Sequence, residues 1–454
     1  MDEHTGLVAQ QVLVDGVLGP AALRWADGVV TSIVPGADDA EDGAGLLRVP
    51  DSAVVLPGVV DSHVHVNEPG RTHWEGFATA TRAAALGGVT TLVDMPLNSV
   101  PPTTTVAGLR AKQQAAAGQL AVDVGFWGGA VPGNLADLRP LWDEGVLGFK
   151  CFLSPSGVEE FPPLDPAGFT AALREVSSFD GLVVVHAEDA AVLEAAPTAP
   201  SRAYADFLAS RPDEAELAAI RQVLDGARET GCRVHVLHLS SARALDLLAD
   251  ARAEGLPVTV ETCPHYLCLA AEHIPDGDAA YKCCPPIRDE GNRDALWDAL
   301  LAGVIDMVVS DHSPADVAAK TSGGGDLMQA WGGIAGLQVA FLAVADEATR
   351  RGIGIESVSR WMSTATADLV GLSAKGRLAV GGDADLLVLD PAASTTVDAA
   401  ALAHRHPISA YDGRRLSGRV TDTVLRGRRI ASGRTGPSDE PRTGLQLTRP
   451  EESP

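Results

Sequence analysis

Aromatic residues are scarce in this chain, at 4% of 454 residues, so its core has to be built from layers of the abundant Ala, Val, Leu and Gly. Basic residues are also few: Lys and Arg total 35 against 60 Asp and Glu, a formal charge of -25. Such a surface repels phosphate backbones and anionic lipid, so neither nucleic acid nor a membrane is an expected partner. No Cys-x-x-Cys pair occurs among Cys151, Cys232, Cys263, Cys268, Cys283 and Cys284, which excludes a ribbon-type zinc site. Several of these thiols fall in apolar, strand-like runs, where reduced core cysteines are expected. No uninterrupted apolar run reaches the roughly 18 residues of a membrane span. The opening stretch MDEHTGLVAQ lacks the basic and apolar regions of a signal peptide. A reducing cytoplasm is the expected location.

The length exceeds the usual single domain of roughly 100–200 residues and leaves room for one large domain and a smaller module. Residues 1–56 read as short strands closed by Gly or Asp-Gly, in QQVLVDG, AALRWADG and VVTSIVPG. The segment 373–435 has the same texture, in GRLAVGGDADLLVLDP and RVTDTVLRGRRIASG. Neither end holds enough strands for a stable sheet alone, so the two are expected to form one small composite β-sandwich domain. Residues 436–454 are rich in Pro, Ser and charge and are expected to be a flexible tail.

Between them, over 57–372, short apolar runs recur: Val54–Val60, Val89–Val93, Val122–Trp127, Val146–Leu153, Leu182–Val185, Val234–Leu239, Val258–Val260 and Ile305–Val309. Stretches with helical spacing separate many of them, as in Ala167–Val176, Glu214–Glu229, Ser241–Glu254 and Arg293–Ala302. This alternation predicts a (β/α)8 TIM barrel, an α/β fold. The alternative is a doubly wound open sheet, but no Gly-x-Gly-x-x-Gly follows a strand.

In a parallel barrel the chemistry gathers at the C-terminal ends of the strands. The first run ends in Asp61-Ser62-His63-Val64-His65, and period-two alternation puts both imidazoles on one side, a spacing that can hold Zn2+. The fifth run ends in His186, the sixth in His238, and the eighth in Asp311-His312. Singly these have ordinary readings: His186 as a structural histidine, Asp311 as a helix cap, Lys150 as a strand-edge lysine in water. Together they place ligand-type side chains at the strand ends of one barrel. Lys150 sits inside an apolar strand, where an ammonium beside cations is strongly disfavoured. Its neutral amine can take up CO2 as a carbamate (N6-carboxylysine), reversing the charge and offering two oxygens to bridge two metal ions.

These residues resemble the amidohydrolase superfamily, and within it the allantoinases. The motifs that carry the resemblance run from Leu56-Pro57-Gly58 through His63-Val64-His65-Val66-Asn67-Glu68-Pro69-Gly70-Arg71-Thr72, Asp94-Met95-Pro96-Leu97-Asn98-Ser99 and Gly148-Phe149-Lys150-Cys151-Phe152-Leu153. Further on come Glu261-Thr262-Cys263-Pro264-His265-Tyr266-Leu267, Lys282-Cys283-Cys284-Pro285-Pro286-Ile287-Arg288, Ser310-Asp311-His312-Ser313-Pro314 and Gly332-Gly333-Ile334-Ala335-Gly336-Leu337-Gln338. The resemblance implies two metal ions per chain, Zn2+ with Co2+, Mn2+ or Fe2+ as substitutes, no organic cofactor, and a homo-oligomer, often a tetramer. It assigns His63, His65 and Asp311 to one metal, His186 and His238 to the other, and carboxylated Lys150 to the bridge. His235 competes with His238 for the sixth-strand role; His238 is chosen because the family ligand directly precedes Leu-Ser-Ser. His265 and His312 are read as supporting residues. Asp311 is the expected proton carrier, as general base and then general acid.

The superfamily includes dihydroorotases and hydantoinases (dihydropyrimidinases) beside the allantoinases. In the dihydroorotase pattern the second residue after His-x-His is an arginine that clamps a carboxylate. Here it is Asn67, whose amide suits a neutral ureido or imide edge, although Arg71 and Arg288 lie near in sequence. Hydantoinases carry a substrate-contacting tyrosine after the lysine strand, whereas Ser154–Pro162 has none. Asn67, Asn98, Ser156, Cys283 and Gly333 are the candidate substrate contacts. A metal-free assembly or regulatory homologue is the non-enzyme reading, and such members typically lose ligands that are all present here.

Overall fold

The computed structural model describes residues 4–36, 45–432 and 442–449. Both chain ends contribute to one eight-stranded sheet. Its strands are β1 (Gly6–Val14), β2 (Val17–Ala26), β3 (Val29–Pro35), β4 (Leu46–Arg48) and β5 (Val54–Pro57), joined near the C-terminus by three more. The sheet branches at β1, where Gly6–Val8 pair with β4 and Gln11–Val12 pair with β5. Leu7, Leu23, Trp25, Val55, Leu386 and Val388 belong to its own buried apolar cluster, separate from the main core. This is the composite module expected from the two similar chain ends.

The remaining strands are parallel: β6 (Val59–Val64), β7 (Val89–Asp94), β8 (Asp123–Phe126), β9 (Gly128–Gly129), β10 (Phe149–Phe152), β11 (Leu182–His186), β12 (Arg233–Val236), β13 (Val258–Thr262) and β14 (Met307–Val308). They form a three-stranded sheet β6-β7-β8 and a six-stranded sheet β9 to β14. β8 and β9 are halves of one strand broken at Trp127, whose indole Nε1–H donates to Ser62 O at 2.8 Å across the barrel. The other seam is closed by a parallel bridge between Val64 and His312. The result is a closed (β/α)8 barrel rather than an open sheet. A helix follows each strand in turn: Phe77–Leu86, Val106–Ala116, Leu135–Asp143, Pro166–Ser177, Asp213–Thr230, Leu245–Ala253, Glu290–Ala302 and Ala340–Arg350. Two helix starts show why the sequence was readable: Asp165 accepts from Gly168 N and Asp289 from Asn292 N, satisfying otherwise orphaned amides.

Two expectations change. The run Val54–Val60 is two strands, β5 in the outer sheet and β6 in the barrel. The break is Gly58, where a Cβ would meet Thr90 Oγ1 at 2.3 Å, so only glycine lets the chain cross from one sheet to the other. The C-terminal region expected to be flexible is docked over 442–449. Val124 N donates to Leu445 O at 2.9 Å, Leu447 N donates to Val124 O at 2.8 Å, and the Arg449 guanidinium lies 4.0 Å over the Trp142 ring. Alternating Leu445 and Leu447 within a polar stretch let it pair with β8, the edge strand of its sheet, and cover it. The rest of that region, 436–441 and 450–454, lies outside the described residues.

The last strands, β15 (Leu386–Thr396), β16 (Arg415–Leu425) and β17 (Arg428–Ser432), complete the outer sheet, with β15 antiparallel to β5. Module and barrel are pinned by buried Lys375, whose Nζ lies 2.6 Å from Asp123, 2.7 Å from Asp383 and 2.8 Å from Asp385. Those three carboxylates converge on an ammonium, which accounts for their clustering without a metal. No helix among the described residues is long and apolar enough to cross a membrane.

Candidate active site

β6 is buried along its whole length, and its C-terminal end delivers His63 and His65 to the mouth of the barrel. His63 Nδ1 lies 2.6 Å from Glu261 Oε1, at the C-terminal end of β13. A carboxylate on Nδ1 holds the proton there, so the Nε2 lone pair faces inward. Inward are Asp311 Oδ1 at 3.2 Å and Lys150 Nζ at 3.3 Å. His65 Nε2 is 3.6 Å from the same Asp311 oxygen. The ligand-type atoms of His63, His65 and Asp311 all fall within 4.8 Å of one another.

On the opposite side His186 Nδ1 and His238 Nε2 approach to 3.0 Å. His186 Nε2 lies 2.7 Å from Glu188 Oε2, so His186 also turns its unprotonated nitrogen into the cluster. Arg211 grips that carboxylate, Nε to Oε1 at 2.9 Å and Nη2 to Oε2 at 2.6 Å. Lys150, in the middle of β10 between β9 and β11, is 1% exposed and projects into the space between the two imidazole pairs. The strand edge in water is thereby excluded for it.

The electrostatics follow from burial. Desolvation, and then the Lys150 charge, push His63 and His65 well below the usual histidine range. His238 is also far lowered, by burial and then by His186, and His186 is lowered by burial against the pull of Glu188. All four imidazoles are neutral at pH 7. Burial drives the Lys150 ammonium down and the Asp311 carboxyl up, each opposed by the other's charge. Burial alone would raise Glu188, but Arg211 and the His186 hydrogen bond outweigh it and hold the carboxyl at about 2. His238 and Asp311 carry φ of 36° and 42°, left-handed conformations unusual for non-glycine residues and typical of functional sites.

Neutral imidazoles with lone pairs aimed inward, one carboxylate and one buried lysine make a donor set that fits divalent cations. A second grouping, Cys263 with His265 and Asp311, fits less well, because burial pushes the Cys263 thiol well up and keeps it protonated.

The cluster opens into a cavity of about 310 Å³. Asn98, Ser156, Cys283 and Gly333, four of the expected substrate contacts, line it. Asn67 does not. It is fully buried, with Nδ2 donating to Pro314 O at 3.1 Å, so its amide nitrogen ties two barrel loops together, while Oδ1 has no partner among the described residues. Ser156 reaches the cavity, but its Oγ–H is spent on Phe161 O at 2.6 Å. His235 is excluded from the cluster by its bonds to Glu261 Oε2 (3.0 Å) and Thr259 Oγ1 (2.7 Å), leaving the sixth-strand place to His238. His312 accepts from Gly336 N at 3.2 Å and faces Glu75 at 3.3 Å, a supporting role.

Sequence reasoning did not single out Glu188, Arg211 or the hub role of Glu261. Glu188 and Glu261 did carry a signal: each is a carboxylate within or just after a buried apolar strand, beside ligand-type histidines. Arg211 lies in a loop and gave none.

The amidohydrolase family pattern matches residues 54–430. The chain is 56% identical to the allantoinase of Streptomyces avermitilis, over 95% of this chain and 96% of that protein. It is 48% identical to the allantoinase of Saccharomyces cerevisiae, over 85% of each. Among solved structures, the L-hydantoinase (dihydropyrimidinase) from Arthrobacter aurescens superimposes with a TM-score of 0.90 at 31% identity, covering 98% of this chain and 99% of the other.

Proposed function

The chain belongs to the amidohydrolase family, and from that premise we propose that it hydrolyses the hydantoin-ring amide of allantoin to give allantoate. The observation that carries this reading is the 56% identity to an allantoinase across 95% of the chain, together with strand ends that supply every ligand-type residue the reaction class needs.

In this reading His63, His65 and Asp311 would hold one divalent ion and His186 and His238 a second, with Lys150, as its carbamate, supplying oxygen ligands between the two groups. The Nζ lone pair forms a bond to the carbon of CO2 as one C=O π pair moves onto oxygen, and the N–H proton passes to water, leaving an N-carboxylate that carries a single negative charge. Burial favours the neutral amine that this step requires. Zn2+ is the metal we assign, on the N/O donor set. When bound, the ions supply Lewis acidity, polarising the ring carbonyl and acidifying a water.

The chain's own residues do the rest. Asp311 accepts the proton of the attacking water as its oxygen bonds to the ring carbonyl carbon. It then delivers that proton to the ring nitrogen as the C–N bond breaks. Glu261 and Glu188 hold His63 and His186 in the tautomers that face the site.

The cavity suits a neutral cyclic amide. Arg71 is tied to Glu160 and to Asn98 O, and Arg288 to Glu216 at 2.7 Å and Asp213 at 3.1 Å, so neither is free to clamp a carboxylate as a dihydroorotate site requires. A hydantoinase is the second reading, supported by the 0.90 TM-score at lower identity. The test is a side-by-side rate comparison of metal-replete enzyme on allantoin, hydantoin, dihydrouracil and dihydroorotate. Allantoin is expected to be turned over fastest. Faster turnover of any other ring overturns the assignment.

A further inference from the structure

Two cationic side chains line the cavity besides Lys150: Lys282 and Arg211. Lys282 is committed elsewhere, its Nζ donating to Ala330 O at 2.5 Å and Met328 O at 3.3 Å, where it pins the loop that walls the cavity. Arg211 is only half committed. Its Nε and Nη2 edge is taken by Glu188. The guanidinium is planar, so this side-on grip turns Nη1 away from Glu188. Nη1 makes no hydrogen bond among the described residues, and the side chain keeps 20% exposure.

The placement of this group is rigid. Glu188 is bonded to His186, so the guanidinium is held at a fixed offset from the His186–His238 side of the cluster. Arg211 O accepts from Arg288 Nη2 at 3.4 Å, and Pro212 follows directly as the cap of the next helix. Arg211 therefore brings a fixed guanidinium, with one edge unused, to the wall of the cavity into which the cluster opens. Because Glu188 balances its charge, the pair recognises a neutral acceptor better than it would an anion.

We propose that Arg211 Nη1 donates to the carbonyl oxygen of the substrate's ureido tail, making Arg211 a specificity-determining residue that favours ureido-substituted hydantoins over tail-less ones. The inference rests on the allantoin reading above. It assigns Arg211 two separate jobs, one on each edge: orientation of Glu188, and recognition of the tail.

Arg211→Lys separates them, since an ammonium can still face Glu188 but offers no second edge. The experiment measures kcat and KM of metal-replete wild type and Arg211→Lys on allantoin and on 5-methylhydantoin, with bound metal quantified in both proteins. A charged donor to a neutral acceptor corresponds to roughly a ten- to hundred-fold change. The expected result is a loss in kcat/KM, compared at equal metal content, that is larger for allantoin than for 5-methylhydantoin by that factor, mostly in KM. Equal losses on both substrates would overturn the proposal and leave Arg211 as a positioning residue for Glu188. Should 5-methylhydantoin be turned over too slowly, its Ki against allantoin serves as the tail-less arm, expected to change by at least about tenfold less than the KM for allantoin does. A measurement on wild type alone guards against a variant that fails to fold: 5-methylhydantoin is expected to bind at least about tenfold more weakly than allantoin, and equal affinity would overturn the proposal. Wild type that opens 5-methylhydantoin but not allantoin would instead refute the allantoin reading itself.

Discussion

Glu261 Oε1 lies 2.6 Å from His63 Nδ1, and the same carboxylate turns its other oxygen to His235 Nε2 at 3.0 Å. One buried acid thus sets the tautomer of a candidate ligand while being held from behind by a second histidine. Glu261→Gln keeps the shape but replaces one acceptor oxygen with a donor. The expected outcome is a metal affinity weaker by about 10–100-fold, with the fold retained. Competition with a chelator measures it, and unchanged affinity would remove Glu261 from the account.

Glu188 gives a pH-dependent counterpart. Its carboxyl is held at about 2 in the folded chain against 4.5 as a free group. A depressed carboxyl contributes stability that is complete above the unfolded value and is lost as pH falls through the folded one. The shift corresponds to a contribution on the order of 3 kcal/mol. Glu188→Gln is therefore expected to be less stable by about that amount at pH 7, and the gap should narrow only below about pH 4.5. Denaturant unfolding of both proteins from pH 7 down to pH 3.5 checks it. A gap that stays constant across the range would contradict the ion-pair explanation.

The docked C-terminal segment yields a third expectation. Ending the chain after Ser432 removes the partners of Val124 N and Val124 O and the cation over Trp142. The cost is expected to be about 3 kcal/mol, from lost hydrogen bonds and one cation–π contact. Turnover per folded molecule should stay within about twofold, because the segment lies outside the lining of the cavity. Thermal unfolding beside a rate assay reads both. Identical melting of the two chains would show that the docking contributes nothing.

The parts of this molecule legible in the sequence are those with a local rule behind them. Alternation of buried strands with amphipathic helices gave the barrel, and strand-end placement gave His63, His65, His186, His238 and Asp311. Where two elements meet without a long break, the rule fails: Val54–Val60 reads as one run because a single residue, Gly58, divides it. Pairing between distant segments has no local signature either, which is why Leu445–Leu447 looked like part of a polar tail. The structural contact of Asn67 is hidden for a similar reason. Its position in a motif is a matter of sequence, but its contact with Pro314 is made only when the chain after β6 meets the chain after β14 and closes the barrel. Arg211 is the clearest case, a loop residue whose significance rests wholly on the carboxylate it meets in space.

The most direct test of the whole reading is the metal content of Lys150→Ala beside wild type. Wild type is expected to carry two divalent ions per chain. The alanine variant should lose both the metal and the activity, and short carboxylic acids should partly restore them by standing in for the missing carbamate oxygens. Full metal occupancy in Lys150→Ala would contradict the account.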